Sequence, residues 1–322
     1  MRGFILRRQE IMAWALLAVC PWILPAPAGA QSQADPFQSV VPNQPPPARI
    51  QPQRPPPRNW SPAPAYQAPA PAAPPTPAEA AEAFRNRGFT YARQGQYDRA
   101  IQELDQAIRL NGADGAAYRL RGGAWFNKGA YDRAIQDFDQ AIRRAANDAE
   151  ALRNRGLAHF LTGQYRRAIQ DFDQVIRLTP GDGNVYRDRG IAHFRNKGQY
   201  DKAIQDFDQA LRLNPNDAVA FRTRGDAYAN KKSYDRALQD FDQAVRLNPR
   251  DAEALRNRGI TYSNKGQHAR AIQDFDEAIR LAPNDAAAYF VRGGAFRVLG
   301  QLDRAAADFA RAKQLNPALR IP

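Results

Sequence analysis

The chain has 322 residues, 25 of them proline and one cysteine, and a formal charge of +13. A single cysteine excludes a disulfide framework and a thiolate metal site. The charge does not indicate a nucleic-acid arm: six arginines against Glu10 and Asp35 put +4 on residues 1–78, and the other +9 is spread over 244 residues with 31 acids.

In chain order, residues 1–30 read as an export signal. Arg2, Arg7 and Arg8 form a positive start, Ile11 to Leu24 is an apolar run, and Ala28 to Ala30 offers small residues for cleavage before Gln31. The run has 14 residues and contains Pro21, short of the roughly 20 that span a bilayer. Cleavage after Ala30 is the leading expectation, giving a periplasmic or secreted protein. The alternatives are an uncleaved membrane anchor and lipid attachment at Cys20, within "LAVC". Residues 31–78 hold 16 prolines among Ala, Gln and Arg. Such a segment buries too little apolar surface to offset its ordering entropy, so a disordered, extended Pro-rich linker is expected.

From residue 79 onward one phrase recurs seven times. "GQYDRAIQELDQAIRL" begins at Gly95 and its counterparts at Gly129, Gly163, Gly198, Lys232, Gly266 and Gly300, at spacings of 34 residues and once 35. The extra residue falls in "HFRNKGQY", at a turn. Each unit reads as two helices. In the fifth, Asp217 caps the first, which runs to the turn at Lys231–Ser233. The second then places Tyr234, Ala237, Leu238, Phe241, Ala244 and Val245 on one face before Asn248-Pro249 stops it. Thr76, Pro77 and Glu79 form a capping-box signature where the first unit starts.

These units resemble the tetratricopeptide repeat (TPR) family over residues 79–322. A close-contact glycine recurs as Gly88, Gly122, Gly156, Gly190, Gly225, Gly259 and Gly293. Three residues later comes Tyr91, Trp125, His159, His193, Tyr228, Tyr262 or Phe296. The small residue of the second helix is Ala100, Ala134, Ala168, Ala203, Ala237, Ala271 or Ala305, followed by Leu104 or by Phe138, Phe172, Phe207, Phe241, Phe275 and Phe309. The resemblance implies an all-α, right-handed α-solenoid of seven helix-turn-helix repeats. In one departure from the family pattern, an arginine precedes every glycine (Arg87, Arg121, Arg155, Arg189, Arg224, Arg258, Arg292) and an acid precedes every large apolar residue (Glu103, Asp137, Asp171, Asp206, Asp240, Asp274, Asp308). These are expected to pair within or between repeats.

The paired acids of "DFD" do not read as catalytic, because residues two apart on a helix do not face each other and all copies share one environment. They read as surface salt-bridge partners. His159 and His193 read as packing residues, with no thiolate or suitably spaced acid to complete a metal site. No phosphate loop, nucleophile elbow or cofactor motif is present, so no enzyme, cofactor or metal is expected.

The resemblance further implies a concave wall of first helices that takes an extended peptide or a partner helix. On that wall the expected ladder is Arg85, Arg119, Arg153, Arg187, Arg222 and Arg256, ending at Phe290. Phe126, Phe160 and Phe194 lie seven residues after the ladder positions of repeats 2–4, either exposed beside the guanidinium groups or packed between helices. The carboxylate clamp of some family members is not expected, since Phe89, Leu157, Ile191 and Ile260 stand where it needs asparagine. Glu82, Glu150 and Glu253 stand three residues before ladder arginines and are candidates to occupy them. The seventh repeat reads as a cap, with Ala306 and Lys313 where earlier repeats carry branched apolar residues. The leading function is a non-enzymatic scaffold for a protein or peptide partner in the cell envelope. The alternative is an envelope-assembly factor that binds an anionic polymer or polysaccharide through the arginine ladder.

Overall fold

The computed structural model describes residues 75–321. The expected signal at 1–30, Cys20 and the linker up to residue 74 lie outside the described residues. Among the described residues there are fourteen helices and no strand. They are α1 (Pro77–Arg93), α2 (Tyr97–Leu110), α3 (Gly115–Asn127), α4 (Tyr131–Arg144), α5 (Ala149–Leu161), α6 (Tyr165–Leu178) and α7 (Gly183–Arg195). Then follow α8 (Tyr200–Leu213), α9 (Ala218–Asn230), α10 (Tyr234–Leu247), α11 (Ala252–Asn264), α12 (His268–Leu281), α13 (Ala286–Val298) and α14 (Leu302–Leu315). Each odd helix pairs with the even helix after it, which gives seven helix-turn-helix repeats.

Local chemistry sets the boundaries. Thr76 and Glu79 form the reciprocal capping box, with Pro77 at the first helical position. Asp114, Asp148, Asp182, Asp217, Asp251 and Asp285 cap the later first helices by accepting from their exposed backbone N–H groups. The turn inside each repeat needs a left-handed residue, supplied by glycine in six copies and by Lys232 (φ 61°) in the fifth. The extra residue of the fourth repeat makes its turn different. Lys197 (φ 55°) and Gly198 (φ 66°) are both left-handed there.

The core is built from the two helices of each repeat. Phe138, Phe172, Phe207, Phe241 and Phe275 are fully buried, each removing roughly 1.5–3 kcal/mol worth of apolar surface from water. They reach the first helix because it carries glycine opposite them. A Cβ on Gly190 would lie 2.7 Å from Phe207 Cε1, and one on Gly88 2.6 Å from Leu104 Cγ. Between repeats, each second helix packs on the following first helix. Successive first helices also touch, whereas successive second helices do not. The first helices therefore form the inner, concave wall and the second helices the outer one.

The arginine before each glycine joins the repeats. Arg189 grips Asp206 of its own repeat through Nε (3.0 Å) and Nη2 (2.6 Å), and through Nη1 it reaches Asp173 of the previous repeat at 2.7 Å. Arg121, Arg155, Arg224, Arg258 and Arg292 repeat this fork on Asp137/Asp105, Asp171/Asp139, Asp240/Asp208, Asp274/Asp242 and Asp308/Asp276. Arg87 of the first repeat donates to Glu103 at 2.7 Å and, among the described residues, has no second acid of the fork. Both carboxylates of "DFD" are thus used, the first within its repeat and the second toward the next. The first is buried in repeats 2–7, deeper than the surface role expected for it. Burial opposes the Arg189 charge, but the hydrogen bonds and charges of Asp206 and Asp173 outweigh it and raise its pKa.

Candidate partner-binding groove

The arginine ladder lies on the first helices as expected, but it is not open. Arg85 donates to Asp114 (2.8 Å) and Arg187 to Asp217 (2.7 Å), each the capping aspartate of the next repeat. Arg119 and Arg222 pair with the capping Asp148 (3.1 Å) and Asp251 (3.2 Å), and Arg256 donates to Asp285. Arg153 takes Asp188 instead, through Nη2 at 2.9 Å. Arg187 and Arg222 are only 8% and 5% exposed. The ladder expected to face a partner is therefore paired with aspartates across the repeat junctions. Each guanidinium lies 29–35 residues from an aspartate that already caps or lines the neighbouring first helix. Glu82 does occupy its own repeat's Arg85 (3.3 Å). Glu150 and Glu253 instead reach back to Arg119 and Arg222 of the preceding repeat.

The three phenylalanines divide. Phe126 is 4% exposed and belongs to the core, edge-on to Tyr131 with ring centroids 5.3 Å apart. Phe160 and Phe194 are half-buried, against Tyr165 (5.3 Å) and Tyr200 (5.4 Å) of their own second helices. They rim the wall rather than project from it. His159 and His193 are buried, and His193 Nδ1 lies 2.9 Å from Gln199 Oε1. Burial depresses the His159 pKa. Among the described residues no three His, Cys, Asp or Glu side chains converge as a metal site would require.

Helical geometry locates the free part of the wall. At about 100° per residue, positions two before and five after the contact glycine lie within about 40° of the point opposite the second helix. Asparagine recurs there: Asn86, Asn154 and Asn257 before the glycine, Asn127, Asn230 and Asn264 after it. Asn127 and Asn230 donate to carbonyls of their own helices at 2.8 Å; the Asn230 side-chain oxygen accepts from the Tyr200 hydroxyl at 3.3 Å, and that of Asn127 remains an acceptor. Among the described residues, the side-chain amides of Asn86, Asn154 and Asn264 form no hydrogen bond. Partly buried Leu120, Leu161 and Val291 share this side of the first helices. The sequence signal was present as "RN" at 85–86, 153–154 and 256–257, where attention to the arginine hid the asparagine after it.

One carboxylate interrupts this wall. Asp226 of α9 accepts from Asn257 Nδ2 of α11 at 2.9 Å. Burial pushes its pKa up to about 7, with Glu253 adding to the rise and Arg222, Arg256 and the Asn257 hydrogen bond opposing it.

Sequence profiles described as "Tetratricopeptide repeat" match residues 86–149, 131–183, 154–218, 187–252 and 225–293. These matches run through most of the chain, and the protein belongs to the tetratricopeptide repeat family. Among solved structures it resembles a tetratricopeptide repeat protein from Parabacteroides merdae (22% identity, TM-score 0.62, 74% of this chain and 93% of that one). It also resembles Pseudomonas aeruginosa PilF (20%, TM-score 0.55, 64% and 94%). A third likeness is to a chain of the Cut9–Hcn1 hetero-tetramer of APC/C (22%, TM-score 0.56), of which it covers 42%. At these identities the likeness is one of fold. No curated protein matches the chain in sequence.

Proposed function

We propose that the protein is a non-enzymatic scaffold that holds an extended segment of a protein partner against the concave wall of its first helices. The carrying observation is the line of asparagines on that wall, set among aliphatic side chains. An asparagine amide offers a donor and an acceptor together, which matches the backbone of an extended peptide whatever its sequence. The aliphatic residues between them give the partner's side chains apolar contact. Residues 1–30 support an envelope setting for this scaffold, and residues 31–78 support a spacer between that signal and the repeats. The polymer-binding alternative needs free guanidinium groups along the wall, and the ladder arginines are committed to aspartates. It is not the reading adopted.

The test is affinity capture and photo-crosslinking with the full chain, comparing wild type with the combined Asn86→Ala, Asn154→Ala and Asn264→Ala variant. A partner crosslinked from a photoreactive residue at position 127, which the variant leaves unaltered, should be recovered at least tenfold less by the variant, with an unchanged melting curve. Recovery equal to wild type overturns the groove reading. Arg153→Glu is unsuited to this test, because it would set a carboxylate against the buried Asp188.

A further inference from the structure

At three of the six junctions between consecutive repeats, the edge formed by the inner turns is closed by an ion pair. Lys128 pairs with Asp98, Lys231 with Asp201 and Lys265 with Asp235, each lysine following a first helix and each aspartate opening the second helix of the repeat before. At the junction of repeats 3 and 4 the acidic member of this pair is replaced by a cation. Arg166 stands where Asp98, Asp132, Asp201, Asp235 and Asp303 stand elsewhere. The first turn of α6 consequently carries two adjacent arginines and no acid, at a helix end whose dipole is itself positive. The inserted residue brings Lys197 to the same edge in a left-handed conformation.

An open depression of about 570 Å³ results, lined by Gly163, Gln164, Tyr165, Arg166, Arg167, Arg195, Asn196 and Lys197. Four of these are cations and none is an acid. Arg195 Nε is buried without a hydrogen-bond partner. Arg167 also differs from its counterparts. Arg99, Arg133, Arg236, Arg270 and Arg304 lie over aromatic rings of their first helices, whereas Arg167 has His159 at that place and lines the depression. The corresponding depression between repeats 6 and 7 holds a single arginine, with Ala269 and Leu299 in its lining.

We propose that the depression at the junction of repeats 3 and 4 is a docking site for a short acidic segment of a protein partner. This rests on the reading of the chain as a protein-binding scaffold and adds a second contact outside the groove. Guanidinium forks match carboxylates bidentately, and four long side chains around an open depression suit several carboxylates better than one small anion. The exposed Asp132 and Asp201 flank the site on the neighbouring repeats. They limit the anion's length, so a short acidic stretch is accommodated and a continuous polyanion along the edge is repelled.

The test is fluorescence anisotropy with labelled hexaglutamate and the full chain at low salt, where such contacts are least screened. Arg166→Asp restores the residue type of five other repeats and should weaken binding at least tenfold, with melting unchanged or raised. Arg109→Glu, an equal change of charge at an exposed site in α2, should change it less than twofold. Lys197→Gln, at an exposed turn, is the second variant should the first not fold, and should weaken binding several-fold. No binding by wild type, or equal losses from Arg166→Asp and Arg109→Glu, overturns the proposal. Tighter and Arg166-dependent binding of a 20-nucleotide single strand also overturns it, in favour of nucleic acid. Because hexaglutamate reads the depression directly, a groove that fails its own crosslinking test leaves this measurement unaffected.

Discussion

The arginine fork is the residue on which the array depends most, and its weight differs along the chain. In Arg189→Ala, Asp206 stays buried and loses both of its hydrogen bonds, while Asp173 loses its inter-repeat partner. Stranding a buried charge in this way costs about 3 kcal/mol, so the melting temperature should fall by several degrees. Arg87→Ala breaks one pair between largely exposed side chains and should cost about 1 kcal/mol or less. Equal melting shifts for the two variants would show that the fork is not structural. Asp226 supplies a pH dependence of its own. In the folded chain its carboxyl holds a proton up to about pH 7, whereas its ordinary value is 3.8. Between those limits the folded state binds more protons than the unfolded one, so this group's contribution to stability declines as pH rises through the window. Asp226→Asn should remove that decline. The drop in melting temperature from pH 5 to pH 8 should be smaller in the variant than in wild type.

At the scale of the helix pair, glycines of similar appearance have opposite roles. Gly190→Ala drives a Cβ into Phe207 at 2.7 Å and should destabilise by about 1–3 kcal/mol, because the ring is held on all sides. Gly123→Ala, in the interior of α3 with nothing within 4 Å of its added Cβ, should instead stabilise by about 0.5–1 kcal/mol. Denaturant unfolding of both variants measures the two signs directly. Such contacts are legible in a sequence because glycine and ring lie 16 residues apart in the repeated unit, as in Gly156 and Phe172, and 17 apart only in the fourth repeat with its inserted residue. The fork was legible for a similar reason, since arginine and acid recur in fixed phase. The ladder was misread because its partners are the aspartates that cap the next first helix. A capping motif accounts for those aspartates locally and leaves no signal that the second carboxylate oxygen faces an arginine about thirty residues earlier. The asparagine wall was hidden differently. Its members alternate between two positions of one helical face, so no single column of the repeat alignment displays them.

Across the whole molecule, stability is carried from one junction to the next, and the seventh repeat differs at four of the points where earlier repeats form a junction. Phe290 replaces the ladder arginine, Ala310 replaces the outward aspartate of the fork, and Ala306 and Lys313 replace branched apolar residues. Its outer face keeps Asp303 but presents neither the outward aspartate of the fork nor the apolar ridge that earlier repeats use to hold a neighbour. This has a consequence for a chain cut after residue 283. There, Ile272 loses its packing against repeat 7, Arg256 loses Asp285, and Asp276 loses Arg292. An apolar ridge beside an Asp276 that has lost Arg292 is a ready-made junction, and a second copy of the shortened chain is the nearest surface to cover it. The shortened chain should accordingly self-associate in sedimentation equilibrium at micromolar concentration. Introducing Ile272→Ala and Ile279→Lys, which copy Ala306 and Lys313, should return it to a monomer at some loss of melting temperature. Self-association that persists in the doubly substituted chain would mean that the interface lies elsewhere, and that the seventh repeat's substitutions do not act as a cap.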